Sequence, residues 1–178
     1  MSKQFWFLFA MGAASTGLVG YAWANSKRVV TNDVAITIPD LPPGLDGLRI
    51  LHVTDTHFPA NGESLERFLA TAKELNYDLV LATGDYAESA DGWPVVVEAF
   101  RRLDADLGIF ASLGGHERYA GVPSWHGDNG VRNLLDVGQL LRRRELISPE
   151  PLIDALEEIG VTVLQNDNLS LEIGGELV

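Results

Sequence analysis

Three short apolar runs in this sequence each lead into residue types that bind metal ions. Leu48-Arg49-Ile50-Leu51-His52-Val53-Thr54 leads into Asp55-Thr56-His57, Asp78-Leu79-Val80-Leu81-Ala82-Thr83 into Gly84-Asp85, and Leu107-Gly108-Ile109-Phe110-Ala111-Ser112-Leu113 into Gly114-Gly115-His116-Glu117. Carboxylate oxygens and imidazole nitrogens suit divalent cations of hard to borderline character. Asp55 and His57, separated by one residue in a tight loop, can reach one cation. Asp85 follows a glycine, which lets the chain turn sharply toward such a site, and its carboxylate could bridge two cations. His116 follows two glycines. As a neutral imidazole it can bind metal, and as an imidazolium it can hold a phosphate oxygen or protonate a leaving group. Alone, each of these is an ordinary loop residue, because an aspartate after a strand often caps a turn or helix. Their meaning comes from occurring together at three successive run ends. His52 reads as a packed or hydrogen-bonded strand residue, and His126 is assigned no role.

The elements that must position these residues follow from periodicity and turn chemistry. Residues 34–38 alternate with β-branched side chains and predict a first strand. Asn61 or Ser64 supplies an N-cap for a helix whose apolar face is Leu65, Phe68, Leu69, Ala72 and Leu75, closed by Asn76. A second helix starts at Pro94, with Val95, Val96, Ala99, Phe100 and Leu103 facing a sheet. Strand–helix–strand–helix–strand predicts a parallel sheet with right-handed crossovers, and ligands bind at the carboxyl edge of such sheets. Beyond Glu117 the sequence predicts a loop over 119–130 and a helix over 133–146 that ends in Arg142-Arg143-Arg144. A further helix is capped by Ser148 with Pro149 at its first position and Gly160 past its end, and a strand follows over 161–164. Residues 169–173 and 176–178 flank Gly174-Gly175 as a hairpin. Its returning arm stops at Val178, so the second sheet is expected to be incomplete, with an exposed edge near 169–178 and with sequence continuing beyond.

Composition narrows the function classes. The chain has 178 residues, a formal net charge of −12 and no cysteine. The charge argues against a nucleic-acid backbone as partner, and disulfides and zinc–thiolate sites are excluded. Residues 1–24 carry one lysine followed by an uncharged apolar stretch and end in Ala22-Trp23-Ala24. They read as a signal peptide or a retained membrane anchor; Lys27 and Arg28 oppose translocation of that flank. Residues 25–33 then form a linker and 34–178 the globular portion. An exported or membrane-anchored, extracytoplasmic location is expected, and the sequence is silent on oligomeric state.

The motifs resemble those of the calcineurin-like metallophosphoesterases, in particular an exported or membrane-anchored bacterial branch. Residues 41–57 are similar to that branch's opening, Leu79-Val80-Leu81-Ala82-Thr83-Gly84-Asp85 to its second motif, and Gly114-Gly115-His116-Glu117 stands where the family has Gly-Asn-His-Glu or Gly-Asn-His-Asp. The resemblance implies an α/β fold, a four-layer α/β/β/α sandwich, and a dinuclear site of manganese, iron or zinc acting on a phosphoester. Asp55 and His57 would bind the first metal, Asp85 would bridge both, and His116 would be the catalytic histidine. In such sites two metals hold the oxygens of an in-line displacement. Two departures bear on activity. The family's asparagine ligand is Gly115, which has no side chain, and no histidine follows His126. The second metal therefore keeps only Asp85, and weak or absent activity is expected of the chain as it stands. The competing reading is a non-catalytic relative that binds a phosphate group or a protein partner. Amidohydrolase and haloacid-dehalogenase patterns want His-x-His or Asp-x-Asp where this chain has Asp55-Thr56-His57. The membrane segment makes a lipid-linked phosphate a natural substrate to consider beside simple phosphomonoesters and phosphodiesters.

Overall fold

The computed structural model describes residues 17–18, 20–21, 29–119 and 145–178. The chain divides into two compact units, Met1–Val34 and Ala35–Val178. In the first, the described residues 17–18 and 20–21 are helical. Most of the expected leader lies outside the described residues. So do His126, the three arginines 142–144, and nearly all of the loop and helix expected over 119–146. Among the described residues no helix is long and apolar enough to cross a membrane.

The second unit is a mixed α/β structure. Its elements in chain order are β1 (Ile50–Val53), α1 (Leu65–Lys73), β2 (Leu79–Ala82), α2 (Trp93–Arg101), β3 (Ile109–Ala111), α3 (Glu150–Glu158), β4 (Thr162–Val163), β5 (Glu172–Ile173) and β6 (Glu176–Leu177). Strands β1 to β4 form one parallel sheet in the order β1-β2-β3-β4. Each of the first three strands is shorter than its apolar run at both ends, and past the carboxyl end the chain enters a site loop.

A strand order that advances in one direction, with crossovers of one hand, places every crossover helix on the same face. Burial agrees. Leu51, Val53, Val80, Ala82 and Ala111 share a face by register and pack with Leu69, Val96, Phe100, Leu152 and Leu156 of the helices. Each large side chain buried there contributes about 1.5–3 kcal/mol. The opposite face is open over much of its area: Ile50 is 47% and Leu81 36% exposed, although Leu79 is buried.

The N-termini of α2 and α3 differ by one residue from the expectation, and α1 starts after Ser64 as expected but ends at Lys73 with Glu74 as its C-cap, before the expected Asn76. Ser64 occupies the N-cap of α1 without a side-chain cap bond, while Asn61 Oδ1 accepts the N–H of Glu63 at 3.0 Å in the preceding turn. Helix α2 begins at Trp93, which leaves Pro94 in its first turn, where a missing N–H costs nothing. Pro149 is the N-cap of α3, and Ser148 Oγ accepts the N–H of Glu150 at 3.4 Å.

Residues 34–38 do not form the expected strand. They carry no ladder, and Val34 and Ile36 are 76% and 77% exposed. Alternating β-branched residues favour an extended backbone but cannot supply the partner whose hydrogen bonds make a strand. The hairpin does form, with Gly174 and Gly175 at φ 61° and 84°, the two positive values that a type I′ turn requires. Leu171 and Val178 exchange backbone hydrogen bonds at 2.9 and 2.8 Å, so pairing runs to the last residue. Among the described residues this second sheet has two strands, β5 and β6, and Leu177 is 79% exposed on it.

Candidate metal centre

Past the ends of β1 and β2 the two chains continue side by side. Asp55 N–H donates to Gly84 O at 3.1 Å, His57 N–H to Asp85 O at 3.1 Å, and Phe58 N–H to Tyr86 O at 2.7 Å. This pairing demands unusual backbone. Among the described residues five non-glycine residues have positive φ, and three of them are Asp55 (52°), His57 (43°) and Asp85 (54°). Left-handed backbone at such residues costs on the order of 1–3 kcal/mol each and persists where surroundings over-determine it, commonly at functional sites. Strain here therefore coincides with the residues whose chemistry points to a site.

The third loop meets the second with no room to spare. Gly84 has φ 88°, and a Cβ built on it would collide with the backbone of Gly114; one built on Gly114 would collide with the Asp85 carboxylate. Both positions need glycine for close backbone approach. Gly115 is different, because a Cβ there meets only Asp85 Oδ1, at an ordinary 3.9 Å.

This packing gathers three side chains from three loops. Ligand atoms of His57, Asp85 and His116 all lie within 4.8 Å of one another. The rings of His57 and His116 stand edge to face with centroids 4.5 Å apart. Asp85 Oδ1 accepts the N–H of His116 at 2.9 Å, and Nδ1 of His116 lies 3.4 Å from the carbonyl of Glu88. Asp55 stands at the rim, outside the group of three. Its Oδ2 accepts the Thr54 hydroxyl at 2.6 Å and its Oδ1 is 4.0 Å from His57 Nε2. Two imidazoles and a carboxylate, half-buried and convergent, form a donor set that fits a divalent cation of the zinc, iron or manganese type. Asp55 is close enough to His57 to join it. Gly115 lies beside Asp85 and offers no donor. His52 is outside the centre, with Nε2 2.9 Å from Thr83 Oγ1.

Sequence reasoning left Glu117 without a role. Its carboxylate is fully buried. Oε2 accepts the N–H of Asp85 at 3.0 Å and of Gly114 at 2.8 Å, and Oε1 accepts the N–H of Tyr86 at 2.7 Å. An acidic residue directly after a candidate histidine was the available signal, but the amides that converge on it appear only once the loops are packed. Tyr86 is buried beside it and donates its hydroxyl to the carbonyl of Ser112 at 2.5 Å. Burial pushes the Tyr86 phenol well above its ordinary value. Backbone hydrogen bonding at Gly84 and Ser112 works against that rise, and the Glu117 carboxylate adds to it.

Comparison with known proteins places the chain in a family. Residues 48–174 match the calcineurin-like phosphoesterase family model, and the chain belongs to that family. It is 34% identical over 106 residues to a Danio rerio protein described as a transmembrane protein with metallophosphoesterase domain, covering 57% of this chain and 24% of that protein. It is 26% identical over 151 residues to YkoQ of Bacillus subtilis (strain 168), described as an uncharacterized metallophosphoesterase, covering 83% of this chain and 47% of that protein. The chain thus spans about half of one relative and a quarter of the other. No solved structure matches it. Family membership implies divalent metal ions and suggests phosphoester hydrolysis.

Proposed function

We propose that this chain carries the metal-binding half of a phosphoester hydrolase, with Asp55, His57 and Asp85 as metal ligands and His116 as the catalytic histidine. The observation that carries this reading is the convergence of two of the proposed ligands, His57 and Asp85, with His116, delivered by three loops at one sheet edge; Asp55 stands outside that group. A bound divalent ion would supply Lewis acidity to a phosphoryl oxygen and acidify a water molecule. The chain's own residues orient the substrate and manage protons. His116, with its Nδ1 turned to the Glu88 carbonyl, can present Nε2 toward the phosphoester, to hold an oxygen or give a proton to the departing one. Asp55, largely exposed, stands 4.0 Å from His57 Nε2 through its Oδ1. The strained turn at Asp85 keeps its carboxylate fixed against the His116 amide, so little reorganisation accompanies binding.

The substrate is a phosphomonoester or phosphodiester, and a lipid-linked phosphate suits a chain whose residues 1–24 read as a signal or membrane anchor. The Danio rerio relative is described as a transmembrane protein, which supports a membrane-associated setting; an extracytoplasmic placement of residues 34–178 follows from reading residues 1–24 as a signal or anchor. Gly115 favours a second reading, a non-catalytic phosphate-binding relative, because the family's asparagine donor is missing at that position. Manganese-stimulated hydrolysis of bis-p-nitrophenyl phosphate, with Asp85→Asn as control, decides between them. Hydrolysis that the control abolishes supports the enzyme. A folded, manganese-binding protein without turnover supports the binding module.

A further inference from the structure

We propose that Glu117 is the positioning residue of this centre, holding Asp85 in its strained conformation by fixing the peptide units on both sides of it. The proposal rests on the metal-centre reading above. The φ and ψ of a residue describe how its two flanking peptide planes are set. The plane before Asp85 carries the Asp85 N–H and the plane after it carries the Tyr86 N–H. Both donate to the Glu117 carboxylate, at 3.0 and 2.7 Å. Successive N–H groups turned toward one anion form a nest, and here the anion is a side chain of the protein itself. The third donor, Gly114 N–H at 2.8 Å, ties the histidine-bearing loop to the same carboxylate. One side chain therefore sets the conformation of Asp85 at φ 54° and also the distance between the loops that carry Asp85 and His116.

Local geometry explains how neighbouring residues divide these tasks. The N–H groups of Arg118 and Tyr119 both donate to Gly115 O at 3.1 Å, which closes a turn over 115–119. The turn sends Glu117 into the interior, fully buried, while His116 meets His57 in the centre. Among the described residues every hydrogen-bond partner of the Glu117 carboxylate is an N–H donor, so the site calls for a group that only accepts. A glutamine would set an NH2 against at least one of them. An aspartate lacks a methylene of reach.

The test uses the full 178-residue chain and its Glu117→Gln variant. Manganese affinity is measured by titration, coordination geometry by the visible spectrum of added cobalt, and folding by circular dichroism. The expected result is a folded variant whose manganese Kd rises about tenfold to a hundredfold, the range typical of lost outer-shell partners, with an altered cobalt spectrum. A folded variant with unchanged affinity and spectrum overturns the proposal. If the variant does not fold, amide exchange in the metal-free wild type decides. The amides of Asp85, Tyr86 and Gly114 should be protected as strongly as Val80 in β2, and exchange at free-loop rates overturns the proposal. A wild type that binds no manganese sinks the metal reading, and the exchange pattern still decides the role of Glu117.

Discussion

Asp85 is tied to His116 through the backbone as well as through the centre they share: its Oδ1 accepts the His116 N–H at 2.9 Å, and its carboxylate belongs to the same donor group as the His116 ring. The two duties are separable by chemistry. Asparagine retains an oxygen that can accept the His116 amide but loses the negative charge. Asp85→Asn should therefore fold with a stability loss within about 1 kcal/mol, while manganese affinity falls by roughly tenfold or more. Thermal melts and a manganese titration on the same samples check this. A variant that loses both together would mean the carboxylate is chiefly structural.

Gly115 is the position where a single substitution should add function. A new Cβ meets Asp85 Oδ1 at 3.9 Å and nothing nearer, and the backbone there is not left-handed. Gly115→Asn should be tolerated or slightly stabilising, by up to about 1 kcal/mol, because it restricts the unfolded chain. Its amide oxygen would stand beside Asp85 as an extra donor. The expected outcome is a second manganese equivalent bound in titration and faster hydrolysis of bis-p-nitrophenyl phosphate. Unchanged stoichiometry would show that the missing donor is not what limits the second site.

The neighbouring glycines should behave in the opposite way. Gly84→Ala puts a methyl group into the Gly114 backbone at φ 88°, and Gly114→Ala puts one into the Asp85 carboxylate. Each should destabilise by roughly 2 kcal/mol or more, combining overpacking with backbone incompatibility. Urea midpoints check this. An alanine tolerated at 114 would mean that the two loops are less closely packed than described.

How much of this was legible beforehand differs by residue. The three strands, their parallel order and the helical faces follow from short apolar runs and their spacing, since Leu69, Val96 and Phe100 are buried as their periodicity requires. The union of His57, Asp85 and His116 was legible as three run ends at one sheet edge. The placement of Asp55 outside that group was not, because a one-residue spacing fixes reach but not the left-handed turns that aim each side chain. The role of Glu117 was not legible because its partners are backbone amides, two from another loop and one from its own, which have no sequence signature. The strand expected over 34–38 failed for a related reason: pairing is a property of two segments, and only one was in view. The open sheet face was hidden because Ile50 and Leu81 are as apolar as the buried residues between them.

Tyr86 offers a test of burial through pH. Its folded-state pKa is raised, chiefly by burial. A raised value gives stability that is complete below the unfolded phenol value of about 10 and is lost as pH climbs from there toward the folded value. Tyr86→Phe removes the hydroxyl from the Ser112 carbonyl and should cost about 1–2 kcal/mol at neutral pH. That difference should shrink above about pH 10, because only the wild type has an ionisable group there. Urea denaturation of both proteins at neutral and alkaline pH measures it. A constant gap across that range would show that the phenol is not sequestered.

The open face of the sheet predicts an asymmetry between adjacent residues of β2. Val80 is fully buried against the helices, whereas Leu81, the next residue, points the other way and is 36% exposed. Threonine at 80 keeps the volume but buries a hydroxyl among apolar side chains, at a cost of about 1–3 kcal/mol. Threonine at 81 places its hydroxyl near water and should cost within about 1 kcal/mol. Val80→Thr should thus lower the urea midpoint clearly, and Leu81→Thr little. Equal losses would mean that Leu81 is covered in solution, by self-association or by other polypeptide. A dependence of the Leu81→Thr effect on protein concentration separates those two, because burial between copies weakens on dilution and burial within the chain does not.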